Sequence, residues 1–235
     1  MASNFGKTIQ VSTFGASHGY AIGGIVEGLP CGHTIDIDEL QTFLKRRAPG
    51  QNQLQTQRKE ADIPEFLSGM VDGMLSGSPL AFMIRNTSQH SGDYNNLRDI
   101  PRPSHADFTA RMRYGDKVDM RGGGHFSARL TAPLCVAGGI ALQLLREKGI
   151  EIHGHLKQVG TIQDTPIDMV HPDMKALAKI ATETIAMVDA DKRPEVENLV
   201  MKLKKDGDST GGIVEVVATG LPIGLGNPNF DGIEN

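Results

Sequence analysis

The sequence has 235 residues, 39% hydrophobic and 22% charged, with 28 Gly, no Trp and a net charge of −4. That composition suits a soluble chain with one sizeable core or two small ones, and the negative balance argues against nucleic acid as a partner. Arginines gather around residues 46–58 and 98–129 while acids dominate the C-terminal third, a bias that favours an acidic small molecule as ligand. Cys31 and Cys135 form no CxxC pair and suit a reducing compartment. The first 20 residues lack an apolar signal core, and no apolar run reaches the roughly 18 residues of a membrane span. The expected location is therefore cytoplasmic, with no membrane partner.

In chain order, Thr8 to Phe14 alternates polar and apolar residues and reads as a strand, resumed by a second over Ala21 to Glu27. Ser17 and His18 fall on the tight loop between them, a rigid mount for a titrating side chain. Asp36 to Arg47 has acids first and bases last, the charge order a helix dipole favours, with Ile37, Leu40 and Leu44 expected on one face. Pro49-Gly50 stops this helix, and Gln51 to Lys59 reads as a polar, basic loop. Leu80 to Arg85 reads as a buried strand ending at Asn86.

Ser104 with Asp107 three residues on has the pattern of a capping box, so a helix is expected from there to Gly115 with His105 in its first turn. Arg121-Gly-Gly-Gly-His-Phe-Ser-Ala-Arg129 follows, where three glycines permit positive φ and close approach to a ligand. Leu130 to Leu145 is apolar on nearly every side, as a core helix would be, with Pro133 near its first turn. A loop ending at a helix start presents N–H groups to an anion, with Ser127 and Arg129 as further donors. The bland alternative is a turn flanked by surface arginines.

Ile150 to Gly160 reads as a strand that places His153 and His155 on one face, which we read as structural, with no metal assigned. Asp173 to Met187 is helix-compatible, and a further helix runs from Lys192 to Lys205 with Pro194 at its start and Gly207 as its end. Gly212 to Thr219 is a strong strand pattern.

Two stretches together resemble the chorismate synthase family: Thr13-Phe-Gly-Ala-Ser-His-Gly-Tyr-Ala-Ile-Gly-Gly-Ile-Val-Glu-Gly-Leu-Pro30, and Arg121 to Arg129 with Ala132 to Gly139 behind it. Arg46 to Gly50, Arg102 to Asp107, Tyr114-Gly115, Asp206 to Ser209, Gly220 to Pro222 and Gly224 to Gly226 follow the family's order. The resemblance implies an α+β fold, a β-α-β sandwich with helices enclosed between antiparallel sheets, assembled as a homotetramer. It implies a 1,4-anti elimination of phosphate from 5-enolpyruvylshikimate 3-phosphate to give chorismate, with reduced FMN required and no net redox change.

By the same resemblance His18 protonates the reduced flavin and His105 handles the departing phosphate. Ser17, Arg47, Ser127 and Arg129 match substrate-binding positions, and His125, Phe126, Ser127 and Ala128 match the flavin-contacting loop. Ala16 stands where the family usually has an acid, Ser104 where it usually has Gly, and Gln53 where it is often basic, which argues against a bound nicotinamide nucleotide. The family continues beyond Asn235, so residues 1–235 are expected to form a single domain, incomplete at its C-terminal side and without the family's later Arg-Asp motif. The rival reading is a truncated module that holds an anionic ligand or FMN without turnover.

Overall fold

The computed structural model describes residues 3–50, 54, 60–87 and 100–226. The chain divides into two compact units, Met1–Leu144 and Leu145–Asn235, where the sequence reading counts one domain. Gln53 and nearly all of the basic loop at 51–59 lie outside the described residues.

In unit 1 the strands β1 (Asn4–Phe5), β2 (Gln10–Gly15), β3 (Ala21–Glu27), β4 (Glu65–Ser68) and β7 (Leu80–Arg85) form one antiparallel sheet in the order β1-β2-β3-β7-β4. A small hairpin, β5 (Met70–Val71) with β6 (Met74–Leu75), interrupts the path between β4 and β7. Ile22 and Val26 of β3 and Leu80, Phe82 and Ile84 of β7 supply the sheet's share of the core. Their period of two sends alternate side chains of β7 to one face.

Helix α1 (Ile37–Arg47) begins where Asp36 accepts the Glu39 N–H at 2.8 Å, and it buries Leu40 and Leu44. Ile37, in the first turn, is exposed. Helix α3 (Thr131–Arg146) lays Ala132, Val136, Ile140 and Leu144 into the same core. A Cβ on Gly139 would lie 2.5 Å from Leu40 Cδ1, so glycine there permits α1 and α3 to approach closely.

Two expectations for α3 need correction. Its apolar surface is not buried all round, for Leu134 is half exposed. Ala128–Arg146 is also long and apolar enough to cross a membrane by length and composition. The full burial of Ala132, Val136 and Ile140 is that of a core helix.

Helix α2 (Asp107–Tyr114) ends at Gly115 as expected, but no Ser104 capping box forms. Ser104 has φ +60°, the N-cap is Ala106, and His105 precedes the helix. Asp107 instead accepts from the Arg102 backbone N–H at 3.1 Å, Nε at 2.8 Å and Nη2 at 2.9 Å. A charge-assisted fork outcompetes a neutral cap for the carboxylate, and it holds the Asp107 carboxyl below the usual range.

In unit 2, β8 (Glu151–Val159) lies between β10 (Gly212–Thr219) and β9 (Ile162–Gln163) in an antiparallel sheet. Helix α4 (Met174–Ile180) is shorter than the expected 173–187. Past Ile180 the chain turns to bury Ile185 and Met187, and Ala186 O accepts the Leu156 N–H at 2.7 Å. Helix α5 (Lys192–Asp206) ends at left-handed Gly207, with Pro194 third rather than first. Helices and antiparallel sheets throughout make the fold α+β.

Candidate active site

The loop between β2 and β3 is shaped by the glycine turn. Ser17 is buried, its N–H donates to Gly124 O at 3.1 Å, and its Oγ lies 3.2 Å from both Gly122 O and His18 Nδ1. Gly122, Gly123 and Gly124 have φ of +62°, +98° and +57°, which three residues with side chains would not adopt together. A Cβ on Gly122 would lie 2.0 Å from His18 Cε1 and Nδ1. The absence of that carbon is what gives the imidazole its seat.

His125 closes the turn from the other side. Its Nδ1 lies 3.0 Å from Gly15 O, and a carbonyl only accepts, so Nδ1 carries the proton. Its Nε2 lies 2.9 Å from Ser3 Oγ. Arg121 forks onto Asp119 through Nε at 2.9 Å and Nη2 at 2.8 Å, holding that carboxyl below the usual range, with a lesser contribution from His18. Phe126 stands partly exposed with its ring centroid 5.9 Å from that of Tyr114, at the far end of α2.

Behind the turn is a buried ionic cluster. Arg129 is 5% exposed and Asp62 2%, although both are charged side chains. Arg129 Nη1 donates to Asp62 Oδ1 at 2.6 Å, and Arg47 Nη1 to Asp62 Oδ2 at 2.7 Å. Arg47 further donates from Nε to Thr131 Oγ1 at 3.1 Å and from Nη2 to Ala128 O at 3.3 Å. Glu60 Oε2 accepts from Thr87 N and Oγ1 and stands 3.8 Å from Arg129 Nη2. Two cations thus face two carboxylates, and neither arginine is a free charge. Arg129 Nη2 is the exception in detail: it is buried and has no hydrogen-bond partner among the described residues.

Asn86, at the end of β7, joins the two halves. Its Nδ2 donates to Ala16 O at 3.1 Å and Gly19 O at 2.8 Å, while its Oδ1 accepts from Arg129 Nε at 2.8 Å. Only one orientation of the amide satisfies all three partners. Ser127, whose Oγ accepts the Arg129 N–H at 3.3 Å, and Ala128 complete the path back to the glycine turn. Ser17, His18, His125, Ser127, Ala128, Arg47 and Arg129 therefore belong to one bonded network.

His105 does not share in it among the described residues. Its Nδ1 donates to Pro103 O at 2.9 Å, and it precedes α2, a helix about 12 Å long whose far end meets Phe126. Sequence reasoning missed Asn86, Asp62 and Glu60. The available signal was a pair of acids, Glu60 and Asp62, directly after a basic loop.

Together these features define a class: an α+β protein with an imidazole seated on a glycine turn and buried guanidiniums behind it, equipment suited to small anions. Comparison with known proteins narrows this. A family model described as chorismate synthase matches residues 9–235. A chorismate synthase of Lancefieldella parvula is 44% identical over 246 aligned positions, covering 100% of this chain and 64% of that protein. One of Bacteroides thetaiotaomicron is 44% identical over 230, covering 98% and 63%. A crystal structure of chorismate synthase superposes with a TM-score of 0.66 at 25% identity, covering 92% of this chain and 59% of that one. The chain belongs to the chorismate synthase family. It spans less than two-thirds of the length of these relatives.

Proposed function

We propose that this protein catalyses the 1,4-anti elimination of phosphate from 5-enolpyruvylshikimate 3-phosphate, giving chorismate, and that both units belong to one family domain. The observation that carries the reading is the seat of His18, which exists only because residue 122 has no Cβ. A turn shaped around one imidazole is what a positioned proton donor needs. In the elimination the ring C–H proton passes to solvent, its electron pair shifts into the ring to give one additional double bond, and the C–O pair leaves with inorganic phosphate.

His18 holds a proton beside Ser17, whose Oγ lies 3.2 Å from its Nδ1. His105 neutralises the charge that grows on the departing phosphate. Arg47 and Arg129, with Ser17 and Ser127, set the anionic groups of the substrate.

Reduced FMN fits the residues present, because the Phe126 ring stands half exposed beside the glycine turn, an apolar face for a flavin ring system to pack on. His125, Phe126, Ser127 and Ala128 would hold it. When bound, this group supplies electron density that eases C–O cleavage without net redox change. We further propose a cytoplasmic homotetramer with no nucleic acid or membrane as partner. The apolar side chains of Val214 and Val216, which β10 leaves exposed, support burial in an assembly.

The test is anaerobic phosphate release from the substrate with reduced FMN. Release by the protein, lowered about 10²–10⁴-fold in His18→Ala, is expected. Undiminished turnover in that variant removes His18 from the chemistry. Ligand binding without any release selects the binding-module reading.

A further inference from the structure

Asp62 has no part in the chemistry described so far, yet the site is built around its carboxylate. The residue has φ +49°, a left-handed setting that Asp tolerates at some cost, and its side chain is shut from solvent. Oδ1 receives Arg129 and Oδ2 receives Arg47, so one carboxylate fixes two guanidiniums at once. Arg47 transmits that fix to Ala128 O and Thr131 Oγ1 at the start of α3. Arg129 transmits it through Asn86 to Ala16 and Gly19, on either side of His18. With Nη1 and Nε both committed, the orientation of the whole planar fork is set, and Nη2, 3.8 Å from Glu60 Oε2, is buried without a hydrogen bond among the described residues.

We propose that Asp62 is a positioning residue that presets Arg47 and Arg129 as a pair, so that Arg129 Nη2 offers its N–H groups to an oxygen of the anionic substrate. This rests on the functional reading above. The physical case is preorganisation. A guanidinium already ordered by two bonds loses little further freedom when a ligand arrives, whereas an unheld one must be ordered at the ligand's expense. Asp62 also offsets one unit of positive charge, so the pair discriminates by geometry rather than by bulk attraction.

The experiment is calorimetric binding of 5-enolpyruvylshikimate 3-phosphate to the whole chain over a range of salt concentrations. It compares the unaltered protein, Asp62→Asn, Asp62→Glu and Asp164→Asn. In Asp62→Asn the affinity at low salt should fall at least about tenfold, yet its salt dependence should steepen because the site has gained a positive charge. Asp62→Glu should recover part of the affinity with the original salt dependence. Asp164→Asn removes a buried carboxylate in unit 2 and should change neither.

No binding by the unaltered protein sinks the functional reading and this inference with it. Binding that Asp62→Asn leaves unchanged in both affinity and salt dependence overturns the positioning role alone. Should Asp62→Asn not fold, the arginine side-chain N–H signals of the unaltered protein decide by NMR. Two slowly exchanging Nε–H signals that shift on adding substrate support the clamp, and averaged signals like those of exposed arginines overturn it.

Discussion

Both units bury an ionic cluster, and the two are built to different plans. In unit 2, His155 Nδ1 lies 2.7 Å from Asp164 Oδ2 and Nε2 3.0 Å from Glu215 Oε2. Each ring nitrogen thus has a carboxylate oxygen within hydrogen-bond reach. Asp164 also receives the Val188 and Asp189 N–H groups, and Glu215 receives Lys157 Nζ at 2.6 Å. Every side-chain polar atom of that triad is answered. In unit 1, Arg47, Asp62 and Arg129 form a comparably buried group that leaves Arg129 Nη2 without a hydrogen bond among the described residues. A closed cluster fixes register, here pairing β8 with β10 at His155↔Glu215. An open one keeps a donor for something that arrives later.

The largest expected effect tests whether the unit 1 cluster is as buried as its geometry states. Asp62→Asn leaves two guanidiniums sharing one neutral oxygen, and breaking a buried pair in this way costs about 3–5 kcal/mol. Urea unfolding should show that loss. A cost below about 1 kcal/mol, the scale of exposed pairs, would mean that water reaches the arginines and the contrast with unit 2 is false.

Next in size is Gly122→Ala. The added Cβ meets the His18 ring at 2.0 Å, and φ of +62° strains any side chain there, so a loss of about 1–3 kcal/mol is expected. Gly138→Ala is the matched control. A Cβ at Gly138 meets nothing within 4 Å, and alanine inside α3 should stabilise by about 0.5–1 kcal/mol. Equal outcomes at the two positions would refute the seat of His18.

How far the sequence discloses these features depends on the range over which each is determined. Strand β3, helix α1 and the glycine turn follow from local period, charge order and composition, and they stand where the pattern puts them. The Ser104–Asp107 cap fails because Arg102, only five residues from Asp107, makes a stronger claim on the carboxylate. Leu134 shows another limit, since a helix apolar on all sides does not announce which side is covered. Asp62 and Asn86, and the burial of Arg129 against them, are the hardest to foresee. Asp62 and Asn86 meet Arg129 across 67 and 43 residues of sequence, and no local pattern marks a polar residue for burial.

Acid should act on unit 2 through two named carboxylates. Burial alone would push the Asp164 carboxyl up, but the Asp189 and Val188 N–H groups and His155 hold it below its ordinary value. Lys157 and His155 do the same for Glu215. A depressed folded pKa contributes stability that is present above the unfolded value, about 4, and is lost as pH falls through the folded one. Unit 2 should therefore weaken below about pH 4, and Asp164→Asn should flatten that limb in chemical denaturation at stepped pH. An unchanged acid limb in the variant would show that Asp164 is not the group responsible.

The smallest effect sharpens the comparison within a single strand. His153 and His155 stand two apart on the same face of β8, and nothing in their spacing tells them apart. The structure does. His155 is closed in by two carboxylates, whereas His153 keeps side-chain exposure of 21% and its Nε2 is 3.8 Å from Glu151 Oε2, beyond hydrogen-bond reach. Such a partly solvated pair contributes little, so His153→Ala should cost about 0.5 kcal/mol or less. His155→Ala removes a partner from each of two carboxylates and should cost about 3–5 kcal/mol, the same scale as Asp62→Asn. Thermal or urea unfolding of the two variants side by side decides the matter. Similar losses at both positions would show that packing on the strand face, rather than pairing of buried charge, sets the energy of this sheet, and the contrast between a closed and an open cluster would lose its basis.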